Sequence, residues 1–265
     1  MFYLGTHQAH WLRLVDVPLF VSRTRLENRK TLPQAEGRWA LDSGGFTELR
    51  QRGEWSLPTA DYISQVRRYA DEIGNLDWAA PQDWMCEPSM MANTGLTIHE
   101  HQQRTVDNFL DLRQELGTLV IPVLQGWDLG DYLRCAELYD RAGVDLLDEP
   151  TVGLGSVCRR YADQEIGTII ASLQPIRIHA FGVKGKAYRA NHDLLASADS
   201  MAWTNHALHN PPLPGHTHKS CSSCLDFALM WRKRLLSRLG QDRLFVPPPN
   251  AGGVLSVLGR ASSDR

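Results

Sequence analysis

A chain of 265 residues that is 43% hydrophobic and 22% charged, with eight tryptophans, can bury a large core and fits within one domain. Its net charge of −2 excludes a global basic footprint, so any nucleic-acid contact has to come from a local face. Its apolar runs fall far short of the roughly 20 residues that span a bilayer, the start MFYLGTHQAH has no signal-peptide pattern, and five cysteines, of which only Cys221 and Cys224 are closely spaced, argue against a disulfide framework and for a reducing, cytoplasmic setting.

Short apolar, β-rich runs ending in Gly, Asp or Pro predict strands at 2–5, 17–22, 39–45, 76–83, 119–126, 144–155, 176–183 and 200–204. Amphipathic stretches predict helices at 59–73, with Tyr62, Val66 and Tyr69 on one side, and at 99–116, 129–142, 161–173 and, shorter, 188–196. Alternating strands and helices mean a mainly parallel sheet, and eight repeats favour closure into a TIM (β/α)8 barrel. The segment 7–16 is too short and irregular for a crossover helix, so the barrel is expected to begin with an irregular or hairpin-like element. After the loop Asn210-Pro211-Pro212-Leu213-Pro214-Gly215 come a His/Cys cluster at 216–224 and a final helix at 225–239. One domain is expected over 1–246, with a flexible tail at 247–265.

In a parallel barrel, functional groups sit where strands run out into loops. Here the strand ends offer Asp42-Ser43-Gly44-Gly45-Phe46, Gln82-Asp83-Trp84 and Gln125-Gly126-Trp127. Carboxylates and amides match the donor and acceptor edge of a flat heterocycle, glycines let backbone approach it, and aromatic rings stack on its face. Each group alone reads more simply as an ordinary turn or helix cap. Their recurrence at successive strand ends points to a purine-like ligand.

Asp42-Ser43-Gly44-Gly45-Phe46 resembles the DSGG(F/Y)Q signature of tRNA-guanine transglycosylases, Leu124-Gln125-Gly126 their V-Q-G, Gly153-Leu154-Gly155 their G-G-L-A turn, Phe181-Gly182-Val183 their M-G-V strand, and Ala198-Asp199-Ser200 their F-D-(C/S), all in the family's order. The fuller strings WALDSGGFTEL, APQDWMCEP, IPVLQGW, VGLGSVCRR and SADSMAW look most like the branch that modifies DNA with 7-deazapurines, the DpdA-like branch. The resemblance implies that Asp199 is the nucleophile that attacks the sugar C1′ and that Asp42 is the general acid/base. It also implies that Asp83, Gln125 and Gly126 hold the base edge, that Gly153 and Gly155 contribute backbone contacts, and that Ser43 and Phe46 stand near the ring. Asp199 opens a predicted apolar run instead of closing one, so its place at the barrel mouth rests on the family match.

His216, His218, Cys221 and Cys224 place four potential ligands within nine residues, and a CxxC with imidazoles suits a tetrahedral zinc shell. By the same resemblance, this zinc is structural. Lys219 stands where the family has the first Cys of a tight triplet, so His216 or His218 has to substitute for it. Arg232, Lys233, Arg234 and Arg238 on the final helix, with Lys184, Lys186 and Arg189, form a candidate basic rim, although a charged run on a terminal helix is more often a solvated face.

The expectation is therefore base exchange: guanine in a polynucleotide, DNA more than tRNA, is replaced by a 7-deazaguanine such as the 7-cyano form, with no organic cofactor. The absence of room for an extra C-terminal RNA-binding domain mildly disfavours tRNA. Homodimerisation and partner proteins that deliver the DNA remain open. The alternatives are a tRNA-guanine transglycosylase, a nucleoside or nucleic-acid glycosidase, and a catalytically silent barrel that binds a purine or nucleic acid.

Overall fold

The computed structural model describes residues 1–158 and 163–239. The expected tail at 247–265, residues 240–246 and Tyr161, where a helix was expected to begin, lie outside the described residues.

Eight strands, β1 (Phe2–Thr6), β2 (Leu19–Ser22), β3 (Trp39–Asp42), β4 (Leu76–Ala79), β5 (Val123–Leu124), β6 (Val152–Leu154), β7 (Ile178–Ala180) and β8 (Ser197–Ser200), form one sheet in the order β4-β3-β2-β1-β8-β7-β6-β5. Every pairing is parallel. The two ends of the sheet meet through the Ala79–Val120 bridge and a hydrogen bond from the Ile121 N–H to the Ala79 carbonyl, 3.2 Å. The fold is thus the expected α/β barrel, thinly closed between β4 and β5. Tyr3, Phe20, Ala40, Trp78, Ala80 and Ile121 pack inside it, and a larger apolar layer lies between the sheet and the helices.

The helices are α1 (Gly45–Arg52), α2 (Thr59–Ile73), α3 (Pro88–Thr94), α4 (Ile98–Leu116), α5 (Leu129–Arg141), α6 (Asp163–Ser172), α7 (Gly185–Asn191), α8 (Ala202–Leu208) and α9 (Leu225–Ser237). Tyr62, Val66, Tyr69 and Ile73 are the buried stripe of α2, at helical spacing. A capping box between Thr97 and Glu100 starts α4. Tyrosine hydroxyls fasten helices to strand ends: Tyr62 donates to the Ala80 carbonyl at 2.5 Å and Tyr132 to the Gly155 carbonyl at 2.8 Å.

The strand expected at 200–204 lies instead at Ser197–Ser200, and the apolar residues that suggested it, Ala202 and Trp203, belong to α8. Trp203 is buried and donates its indole N–H to the Gly5 carbonyl, 2.8 Å. The shift brings Asp199 to the end of a strand. The strand expected at 144–155 shrinks to Val152–Leu154 and that at 119–126 to Val123–Leu124, where Pro122 has no N–H to give the ladder. The run at 39–45 stops at Asp42 because Gly44, with φ +81°, takes a left-handed turn into α1. The hairpin-like start does not occur, since β1 and β2 pair in parallel across a 3₁₀ turn at Ala9–Arg13.

Candidate active site

At the C-terminal mouth of the barrel lies a cavity of about 280 Å³, walled by residues from the ends of most strands, Asp42, Asp83, Gln125, Gly155 and Asp199 among them. Period-two alternation explains the polar lining: a residue two positions beyond an inward core residue also points inward, one layer higher. Ala40 leads to Asp42 in this way, and Phe20 to Ser22.

Asp199 is buried in this wall, 5% exposed. Its Oδ1 accepts the Gly182 N–H at 2.8 Å and lies 3.4 Å from His179 Nε2. A carboxylate only accepts, so the Nε2–H has to face it, leaving Nδ1 to accept from the Ser197 hydroxyl at 2.8 Å. Burial holds the His179 imidazole below its usual titration range, with Asp199 opposing that effect, and the ring is packed among Tyr3, Phe20, Trp78 and Phe181. A neutral histidine thus orients one oxygen of Asp199. Among the described residues Oδ2 accepts no hydrogen bond.

Asp42 is in a different environment. Loss of solvation pushes its carboxyl up, and the charge of Asp199 adds to this, while Ser22, the Gly44 N–H and Arg23 oppose it. Arg23, buried at the end of β2, donates to the Ser43 carbonyl and to Glu48, each at 3.0 Å, and so braces the turn that presents Asp42. Asp42 is therefore biased towards its protonated form.

Asp83 is held from behind. Its Oδ1 accepts from the Ser43 hydroxyl at 3.1 Å and its Oδ2 from the Gln125 amide at 2.6 Å. The Gln125 carbonyl oxygen in turn accepts from the Ser156 hydroxyl at 2.8 Å. Burial, followed by the Asp42 charge, pushes the Asp83 carboxyl up to about 7. A carboxylate has about four acceptor sites, so the two hydrogen bonds leave it able to receive donors from a ligand edge.

Of the residues expected at the substrate, Phe46, Asp83, Gln125 and Gly155 line the cavity, together with both Asp42 and Asp199. Ser43 stands behind Asp83 and also accepts the Gly45 N–H. Gly153 and Gly126 do not line the cavity. A Cβ at Gly153 would meet the Phe181 ring at 2.5 Å, and one at Gly126 would meet Asp131 of α5 at 2.7 Å, so both glycines permit close packing beneath or beside the site. Cys158 lines the cavity as well, and so do Met85, Glu87, Ser156 and Met201, which had not been singled out from the sequence. Glu87 and Cys158 lay within the matched strings, but no spacing rule separated them from turn residues. His179 had a readable signal in its place two residues before Phe181.

The His216, His218, Cys221 and Cys224 ligand atoms lie within 4.8 Å of one another. His218 Nε2 is 3.0 Å from Cys221 Sγ, and His216 Nδ1 is 3.5 Å from Cys224 Sγ and 3.4 Å from His218 Nε2. Tetrahedral zinc with Zn–N near 2.0 Å and Zn–S near 2.3 Å separates its ligands by about 3.3–3.8 Å, so this donor set fits a metal ion. Asp226 Oδ2, 3.6 Å from the other His216 nitrogen, supplies the outer carboxylate that often orients a ligating histidine.

No helix among the described residues is long and apolar enough to cross a membrane. No curated protein matches the chain. The family described as DpdA, DeoxyPurine in DNA protein A, matches residues 1–247. With that match covering nearly its whole length, the chain belongs to the DeoxyPurine in DNA protein A family, which carries a transglycosylase type of DNA modification.

Proposed function

We propose that the protein exchanges guanine in DNA for a 7-deazaguanine, the 7-cyano form being the candidate, through a covalent glycosyl intermediate on Asp199. The observation that carries this reading is the pair of carboxylates on one cavity, Asp199 oriented by Gly182 and His179 and Asp42 raised by burial. Asp199 Oδ2 attacks C1′, the C1′–N9 bond breaks, its electron pair leaves with guanine, and the Asp42 proton neutralises that leaving base. The incoming base gives its proton back to Asp42, its nitrogen attacks C1′, and the bond to Asp199 breaks. Two displacements retain the configuration. Asp83 and Gln125 meet the base's polar edge, with Phe46 and Phe181 in the wall.

The Cys/His cluster supports a structural zinc. The four side chains would supply a complete tetrahedral donor set, leaving no position for a water or substrate.

The test is incorporation of radiolabelled guanine by the purified protein, with plasmid DNA and bulk tRNA compared as acceptors. Label should enter DNA, and Asp199→Ala or Asp42→Ala should reduce the rate at least about 10³-fold. Label entering tRNA alone would move the substrate to RNA. Base release without incorporation would make the protein a glycosidase, and neither release nor incorporation would favour a silent binding barrel.

A further inference from the structure

A second cavity, about 470 Å³, lies outside the barrel where α7, α8 and α9 meet. Arg189 comes to it from α7, Asn205 and His206 from α8, Trp231 and Arg234 from α9, and Arg238 from the end of that helix; among the described residues no acidic side chain lines it. Residues 231, 234, 235 and 238 share one face of α9 at helical spacing. Leu235 is the buried anchor of that face, close enough to α7 that a Cβ at Gly185 would touch it at 3.2 Å. The arginines beside it therefore project over the gap between helices.

Some surface arginines are engaged by carboxylates, Arg38 by Asp77, Arg67 by Glu115, Arg68 by Glu72 and Arg141 by Glu137, and others lie over aromatic rings, Arg50 over Phe46 and Arg104 over Trp84. Arg234 and Arg238 are exposed and have no carboxylate partner among the described residues. In a chain of net charge −2, Arg234 and Arg238 set two positive charges without carboxylate partners along one wall of this groove, the local basic face that a polyanion needs.

Its position gives the track a direction. Met201 lines the base cavity and the next residue, Ala202, lines the groove; Gly182 lines the cavity and Gly185 the groove. The ends of β7 and β8 thus form the ridge between the two. Resting on the DNA reading above, we infer that the groove holds the phosphodiester backbone beside the target nucleotide, with Arg234 and Arg238 gripping phosphates while the extruded base occupies the barrel mouth.

The full-length protein and the double variant Arg234→Glu/Arg238→Glu are compared by fluorescence anisotropy on labelled single-stranded DNA across a range of salt. A charge-matched control, Arg67→Glu/Arg141→Glu, alters α2 and α5 instead. With an oligonucleotide of about 20 nucleotides, the groove variant should bind at least about tenfold more weakly, and its salt slope should shrink by about 1.4, or 0.7 for each lost phosphate. The control should stay within about twofold of wild type. Unchanged binding of free guanine shows that the variant is folded, and the milder Arg234→Gln/Arg238→Gln pair should shift the slope in the same direction. A groove variant with the wild-type slope, a control that weakens equally, or tighter arginine-dependent binding of an RNA of the same sequence overturns the assignment. Guanine exchange separates this inference from the function it rests on. Arginine-dependent DNA binding without exchange sinks the exchange reading and keeps the groove, whereas exchange at an unchanged KM in the groove variant sinks the groove and keeps the exchange.

Discussion

Asp83 shows how a single residue ties stability, pH and ligand together. Burial raises its carboxyl to about 7, whereas the unfolded chain gives up that proton near 4. The folded state therefore holds more protons between those values. The stability that this proton contributes is fully present below about pH 4 and is lost as pH rises through about 7. Asp83→Asn removes the titration, so the melting temperature of the variant relative to wild type should climb between about pH 5 and 8, as read by thermal melts in matched buffers. Guanine presents N–H donors that favour the ionised carboxylate, so its affinity for the wild-type protein should rise about tenfold between about pH 6 and 8. Calorimetry on the Asn variant should lose this trend. Asp42, Asp83 and Gln125 were legible as cavity residues because they end apolar runs beside Gly or aromatic residues, whereas Gly155 was reached only through the family resemblance. Arg23 and Ser156 were not, because their importance lies in partners far along the chain: Ser43 and Glu48 for the first, Gln125 for the second.

Strand β6 illustrates how an element can be shaped by what it must not contain. A Cβ at Gly155 would lie 2.3 Å from the Gln125 amide, and one at Gly153 would lie 2.5 Å from Phe181. Gly155→Ala should push Gln125 off Asp83, weakening guanine binding by more than about tenfold and costing about 1–3 kcal/mol of stability. Titration calorimetry and urea unfolding would check the two effects. The helices with long apolar stripes, α2, α4 and α5, were legible from their period. The short helices α1 and α3 were not, because seven or eight residues give too few turns for a stripe to stand out. β8 was misplaced for a functional reason: Asp199 lines the cavity and Ser197, two positions earlier, bonds the His179 ring, so the strand reads as polar while the adjoining helix reads as apolar. A hydrophobic pattern fails where a strand gives its inward positions to chemistry.

At the scale of the molecule, the barrel, the match over residues 1–247 and the Cys/His cluster fit together. The cluster precedes α9, which packs on α8 through Phe227 and His206 and reaches β1 by the Arg232 bond to the Phe2 carbonyl, 3.2 Å. A metal there would hold the last helix against the barrel. Elemental analysis should find about one zinc per chain, and a strong chelator should lower the melting temperature, with Cys221→Ser giving the same loss without a chelator. An unchanged melting temperature after complete metal removal would contradict the structural role. The most direct test of the account is the covalent link itself. Protein incubated with DNA and no free base, then denatured and digested, should yield a peptide carrying a glycosyl-linked nucleotide on Asp199, absent from Asp199→Ala and discharged when guanine is added before denaturation. Guanine exchange into DNA with no adduct at Asp199, or with the adduct on another residue, would contradict it.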